Sequence, residues 1–429
     1  MKLKNNNILK NGRLAKNTVM LFILTFSNYL FSFITVPYQT RVLGPEIYGN
    51  IGFATSIMTY FQLFLDFGFL LSATEDISIN RDNKKKVCEI FTSVMYCKAF
   101  LILIAFAVLA VICLTVERFR SDAPLFIIYL AAYSIYAFLP DFLYRGIENM
   151  QAITVRSVLI KFFCTCMIFI FLRDSSQYYI IPILTGIGNL GAVAGVFLHL
   201  RSLGYRFVRV SLSNIIYNMK RSCFFFYSRI ASAVFTATNT FILGMIYGSG
   251  AAIVGLYSTA EKVVTMAKQA ITPVTDSLYP YMVRNRNFKL IKKLLIIGMP
   301  VLFVGCGIVM IFAEPLCAFV FGAEYYEAGK YLRLLAPIAF FSYPTTMFGF
   351  PTLSPLGLSN QVNLSSIFAA VLQIVMLIVL YITVGITVER ICIATCVTEI
   401  FTCSYRAVLV FINKDKYKTP EEEQQSQEV

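Results

Sequence analysis

Apolar runs, each long enough to cross a bilayer as a helix, recur along the whole chain with only short polar breaks between them. A membrane span takes about 20 such residues. Segments 18–38, 48–72, 91–116, 124–143, 153–172, 178–198, 222–246, 254–279, 294–313, 331–353, 364–384 and 387–411 meet that requirement. The predicted fold class is therefore an all-α polytopic membrane protein with about twelve transmembrane helices. Composition agrees, with 58% hydrophobic and 14% charged residues, where a soluble domain carries about 25% charged. The basic start (Lys2, Lys4, Lys10, Arg13, Lys16) leads into the first apolar run with no small-residue cleavage site, so that run is expected to stay as span one.

Lysine and arginine are distributed unevenly among the loops. With the N-terminus in the cytoplasm, the cytoplasmic segments hold Arg81, Lys84, Lys85 and Lys86; Arg145 and Arg156; Arg201, Arg206, Arg209, Lys220 and Arg221; Arg284, Arg286, Lys289, Lys292 and Lys293; and Lys414, Lys416 and Lys418. The opposite loops hold Arg41, Arg118, Arg120, Arg173 and Lys330. This asymmetry predicts both termini on the cytoplasmic side. It also accounts for the net charge of +14 without a nucleic-acid partner, since the basic residues are scattered and carry no nucleic-acid-binding motif. The same surface suits anionic membrane lipids.

Most of the eleven cysteines lie inside apolar spans and read as small hydrophobes. The one histidine, His199, reads as a solvated residue at the cytoplasmic end of span six. No metal site or cofactor is expected.

The chain echoes itself. In 44–66 and 250–272, Gly44 aligns with Gly250, Ile47 with Ile253, Gly49 with Gly255, Ala54 with Ala260 and Thr59 with Thr265; Gly146-Ile147-Glu148-Asn149 pairs with Gly357-Leu358-Ser359-Asn360. Six spans per half give parallel repeats about an axis along the membrane normal. The expected domains are 1–221 and 222–412, each a six-helix bundle, and 413–429, a charged, Gln-rich cytoplasmic tail expected to be disordered.

Polar residues concentrate on particular helix faces. At about 100° per residue, Glu261, Lys262, Thr265, Lys268, Gln269, Thr272, Thr275 and Asp276 fall on one side of span eight. Thr55, Thr59, Gln62 and Asp66 share a face of span two; Arg229, Ser232, Thr236, Asn239 and Thr240 one of span seven; Thr25, Asn28, Ser32 and Thr35 one of span one. Lys98 and Lys161 stand nearly alone, near the cytoplasmic ends of their spans, where a lysine can snorkel. A charge facing lipid at mid-membrane costs at least ~2.5–3.5 kcal/mol, so the charged members must face the protein interior or water. One reading is internal ion pairing, Glu261 with Lys268 or Asp66 with Arg229. The other is a hydrated cavity between the halves, whose cations Arg229, Lys262 and Lys268 suit an anionic ligand. Asp66, Glu261 and Asp276 are then candidates for H+ or Na+ coupling.

Several stretches resemble Wzx-type polysaccharide flippases, which belong to the multidrug/oligosaccharidyl-lipid/polysaccharide exporter superfamily. They are Tyr38-Gln-Thr-Arg-Val-Leu-Gly-Pro-Glu-Ile-Tyr-Gly49 with Phe53-Ala54, Tyr60-Phe61, Asp66-Phe67-Gly68-Phe69, Ser72-Ala73-Thr74 and Ile77-Ser78; Phe224–Gly244, with Ser228-Arg229 opening span seven; and Val254-Gly255-Leu256-Tyr257 with Ala260-Glu261-Lys262. The resemblance implies two six-helix bundles in a V, with helices one, two, seven and eight lining a central cavity. Those are the four spans with polar stripes. It implies transport of undecaprenyl-pyrophosphate-linked oligosaccharide repeat units from the inner to the outer leaflet of the bacterial cytoplasmic membrane, for O-antigen or capsule assembly. A polysaccharide polymerase and a chain-length regulator are the implied partners. Arg229, Lys262 and Lys268 would bind the pyrophosphate or acidic sugars, and Asn28, Thr55, Thr59, Gln62, Thr236, Asn239, Thr265 and Gln269 the hydroxyls. A drug/cation antiporter of the same fold would favour acidic residues in its cavity. A membrane acyltransferase would want a His base, and His199 has no carboxylate near it in sequence. A membrane polymerase would want a large external loop, and the longest here, around Glu314–Lys330, is modest.

Overall fold

The computed structural model describes the backbone of residues 2–248 and 251–413, and the side chains from 19 onward except 224, 227–229, 231–236, 273, 276–277, 280 and 284–285. The expected tail beyond 413 lies outside the described residues, as do the side chains of Arg229, Thr236 and Asp276.

Every predicted span falls on helix. Spans one and two lie on α1 (Lys2–Asp66), which is broken at Gly44 (φ 70, ψ 168) between Pro37 and Pro45. Proline removes a donor and crowds the preceding turn, and only glycine takes this left-handed φ without strain. A second break at Phe67 (φ 41) and Gly68 (φ 80) separates α1 from α2 (Phe69–Ile79). Then follow α3 (Lys84–Thr115), the short α4 (Glu117–Arg120), α5 (Ala123–Ala137), α6 (Asp141–Gly146), α7 (Met150–Phe171) and α8 (Ile180–Ser202). Next come α9 (Leu212–Tyr247), α10 (Ala252–Asn285), α11 (Phe288–Ile311), α12 (Ala313–Phe321), α13 (Ala328–Phe348), α14 (Ser359–Thr383) and α15 (Val388–Ile412). Asn83, Asn149, Ser211, Asn287 and Thr387 accept backbone N–H bonds at the starts of α3, α7, α9, α11 and α15, as N-cap residues do. Among the described residues, eight helical stretches are long and apolar enough to cross a membrane, the first of them running through both α1 and α2.

Packing divides the chain into two units, Met1–Ala252 and Ile253–Val429. The sequence division at 221/222 differs from this by α9, which packs along α1, α2 and α3 of the first unit. In that unit α5 lies on α8 and α1 on α7. In the second, α13 is central, against α11, α12 and α15, and Ile271, Leu278 and Met282 of α10 join Ile291, Tyr343 and Met347 in a core cluster. The outward residues are large and apolar, Leu103, Phe303 and Ile382 among them. That surface is stable against lipid and not against water.

Lys98 corrects an expectation. It does not snorkel. Its side chain is buried, its ammonium donates to the carbonyl of Ala137 at 2.6 Å, and it lies 5.5 Å from the centre of the Phe142 ring. Leu139 and Pro140 break span four into α5 and α6, and the terminal carbonyl freed at the end of α5 takes the cation.

Candidate functional site

In the first unit polar residues of spans two and seven, Tyr60 with Thr238 and Ser72 with Ser222, meet along one seam. Gly68 permits it: a Cβ there would stand 2.7 Å from the Ser222 carbonyl and 2.9 Å from the Phe226 nitrogen, so the α1–α2 break meets the backbone of α9 directly. Beside it, the Ser72 and Ser222 hydroxyls share a hydrogen bond of 2.6 Å, and Phe67 stacks on Phe226 at 4.8 Å. One residue before Ser222, Arg221 pairs with Glu75 at 3.1 Å and with Asp76. Midway, the hydroxyls of Tyr60 and Thr238 are 2.7 Å apart.

The opposite end of the seam is closed by a second arginine. Arg118 of α4 donates from Nε to the Gly244 carbonyl (3.1 Å) and from an Nη to Asn50 (3.3 Å), pairs with Asp122 (3.4 Å) and lies 4.5 Å from the Phe53 ring centre. Burial pushes its guanidinium pKa down from its ordinary value, and Asp122 opposes that shift. A Cβ at Gly244 would enter the Phe53 ring, so this approach too depends on glycine. From Ser222 to Gly244, α9 rises about 33 Å at 1.5 Å per residue, close to the ~30 Å hydrocarbon thickness. The two clasps are therefore about one hydrocarbon thickness apart along α9.

Thr55 and Thr59 are half-buried, and their hydroxyls donate back to the carbonyls of Ile51 (2.9 Å) and Thr55 (3.0 Å). Such bonding makes threonine tolerable at membrane depth. Asn28, Gln62 and Asp66 are also half-buried, and Asn239 is buried. The carbonyl of Asn28 accepts from Ser32 at 2.9 Å.

In the second unit, α10 carries the predicted face. Lys262 is exposed; Glu261, Thr265, Lys268 and Gln269 are half-buried. Tyr257 donates to Glu261 at 3.4 Å. Lys268 pairs with Glu399 of α15 at 2.9 Å, and Ser342 of α13 donates to the other oxygen of that carboxylate at 3.1 Å. Glu399 is only 4% exposed. The sequence had offered Glu261 as the partner, because a residue 131 positions away leaves no local signal. Deeper in the unit, buried Arg406 donates to Ser365 (2.8 Å), the Thr345 carbonyl (2.9 Å) and Ser366 (3.2 Å), while Gln373 bonds Thr395 and Thr398. Each of these polar atoms is matched inside the bundle, as an apolar surround requires.

These elements define a polytopic helical membrane protein whose apolar exterior encloses polar and ion-paired helix faces. Residues 14–286 match the polysaccharide biosynthesis protein family, and the chain belongs to it. A protein of Escherichia coli K12 assigned as an O-antigen transporter is 29% identical over 345 residues, covering 78% of this chain and 82% of the relative. Another so assigned, from Shigella dysenteriae, is 24% identical over 326 residues, covering 75% and 81%. Among solved structures, the lipid II flippase MurJ in an inward closed conformation aligns with a TM-score of 0.71 at 12% identity, over 92% of this chain and 87% of its own. An inward-facing multidrug resistance transporter of the MATE family, in the MOP superfamily, aligns with a TM-score of 0.63 at 16% identity, over 90% and 94%. At these identities the likeness is one of fold, and it is the exporter fold that the resemblance implied.

Proposed function

We propose that this protein is a flippase for a lipid-linked glycan. Its substrate is an undecaprenyl-pyrophosphate-linked oligosaccharide repeat unit, carried from the inner to the outer leaflet for O-antigen or capsule assembly. Family membership and relatives assigned as O-antigen transporters support the substrate class. The observation that carries the mechanism is Lys262. It is an exposed lysine on the face of α10 shared with Thr265 and Gln269, within a segment read as membrane-spanning. Such a charge is stable only against water or an anion. A pyrophosphate supplies the anion, and the hydroxyl and amide groups of spans one, two, seven and eight match sugar hydroxyls. Arg229 contributes a further cation, and Asp66, Glu261 and Asp276 supply sites for H+ or Na+ coupling.

The test uses a host strain that lacks this protein. Export of surface glycan should stop and lipid-linked repeat units should accumulate, and the native protein should restore both. Lys262→Gln should insert at normal levels and lose most export, while Lys262→Arg keeps part of it. Full export by Lys262→Gln would refute the cationic role. Absence of accumulated repeat units in the host would refute the substrate class.

A further inference from the structure

We propose that a groove between α7 and α8 binds one anionic phospholipid of the cytoplasmic leaflet, with an acyl chain along the glycines of α8 and the phosphate held at Arg156. The groove encloses about 810 Å³, within the ~300–1,000 Å³ of ordinary ligand sites. Its walls are Val155, Leu159, Phe163 and Ile187, and its floor runs along Gly188, Gly191 and Gly195. Those glycines differ. A Cβ at Gly188 would lie 2.9 Å from the Cys164 sulfur, so the helices touch there; at Gly191 and Gly195 it would meet nothing within 4 Å. The helices therefore splay toward the end where α7 starts and α8 finishes.

That end is polar. The Tyr144 hydroxyl and His199 Nδ1 are 2.8 Å apart, with the rings stacked at 5.7 Å. His199 is thus tethered by its Nδ1, which leaves Nε2 uncommitted to that bond. Arg156 meets Asp141 at 2.8 Å, and its side chain is only 10% exposed. Its Nε nevertheless has no hydrogen-bond partner among the described residues. A nearly buried guanidinium with an unpartnered Nε, at the mouth of an apolar trough, matches a phosphate whose tail enters the trough.

Length selects the lipid. From Gln151 to Phe163 the groove follows α7 for about 18 Å, close to one leaflet of a core that is ~30 Å thick. An acyl chain ends within it, whereas an undecaprenyl chain would run far beyond. The lysine and arginine asymmetry places this end in the cytoplasmic leaflet, where anionic headgroups collect. The inference does not rest on the flippase reading.

The test titrates purified full-length protein in mild detergent with dioleoyl phosphatidylglycerol, dioleoyl phosphatidylcholine or undecaprenyl phosphate, and reads binding by native mass spectrometry. Phosphatidylglycerol should saturate one site, with phosphatidylcholine about tenfold weaker. Gly191→Leu combined with Gly195→Leu fills open space, so it should leave the melting temperature in place and weaken phosphatidylglycerol about tenfold or more. Arg156→Gln should weaken it about five- to tenfold, the attraction of one basic residue for an anionic surface. Unchanged phosphatidylglycerol binding in the double glycine variant, which does not depend on how Arg156→Gln folds, would overturn the proposal. Equal affinity for the two phospholipids would also overturn it. So would undecaprenyl phosphate binding more tightly than phosphatidylglycerol and being lost in the same variant, which would reassign the groove to a polyprenyl tail.

Discussion

At the scale of single residues, the pair between Lys268 and Glu399 separates structure from transport. Glu399 is buried and accepts from both Lys268 and Ser342. Removing one partner of a buried pair costs about 3–5 kcal/mol because it strands the other charge. Lys268→Gln should therefore lower the amount of inserted protein, and Lys268→Gln with Glu399→Gln should recover it; immunoblots of membrane fractions read both. If export recovers along with abundance, Lys268 has no separate role with substrate. If abundance recovers and export does not, the ammonium itself is needed. That Lys268 turns inward was legible from its helix-face position, since the cost of a lipid-facing charge holds for any sequence, whereas Lys98 was expected to snorkel and is buried. Their partners were not legible, because Glu399 and Ala137 reach Lys268 and Lys98 only through tertiary packing. His199 is exposed, as its place at the end of span six implied, but its bond to Tyr144, 55 residues away on another helix, left no local signal.

At the scale of elements, hydropathy located every helical span, but the breaks inside spans were less visible. Gly44 and Gly248 take positive φ (70° and 85°) before span two and before α10. Glu148 and Gly357 do so before α7 and α14 (60° and 77°). These turns lie near the sequence echoes but two residues out of register with them, since the echo aligns Gly44 with Gly250 and Gly357 with Gly146. The contact of the α1–α2 break with α9 gives two predictions. Gly68→Ala should destabilise the protein by at least about 1–3 kcal/mol through its positive φ, with a further cost because the new methyl would stand 2.7 Å from the Ser222 carbonyl. The measurement is thermal unfolding in detergent. A second variant, Ser72→Cys with Ser222→Cys in a Cys-free background, should form a disulfide on mild oxidation, because the two hydroxyl oxygens are 2.6 Å apart. If the seam between α2 and α9 must part during transport, oxidation should stop glycan export and reduction should restore it. Unchanged export in the fully cross-linked protein would show that this end of the seam stays shut throughout the cycle.

At the scale of the whole molecule, orientation depends on charge and on the parity of the spans together. The basic residues of the loops after spans two, four, six and eight fall on one side when every predicted segment crosses the bilayer. The clasps on α9 agree with that arrangement: Arg221 lies in the segment read as cytoplasmic and Arg118 in one read as external, and α9 spans about a membrane thickness between their contacts at Ser222 and Gly244. Helices α9, α10 and α13 test the count, because each carries polar or charged residues within its apolar run. They cross only if their polar faces are shielded from lipid. Reporter fusions at residues 210 and 415 should both read cytoplasmic, and one at residue 120 periplasmic. If just one of the three failed to cross, every loop beyond it would invert. The fusion at 415 would then read periplasmic, and the cluster Arg284, Arg286, Lys289, Lys292 and Lys293 would lie outside if the failure were in α9 or α10. Translocating five basic residues in a short loop is what the positive-inside bias disfavours. A cytoplasmic reading at 415, with a cytoplasmic reading at 290, therefore requires that α9 and α10 both cross or that neither does. Cysteine labelling of the loop at 249–251 from the periplasmic side distinguishes the two, since only the crossing pair exposes it there.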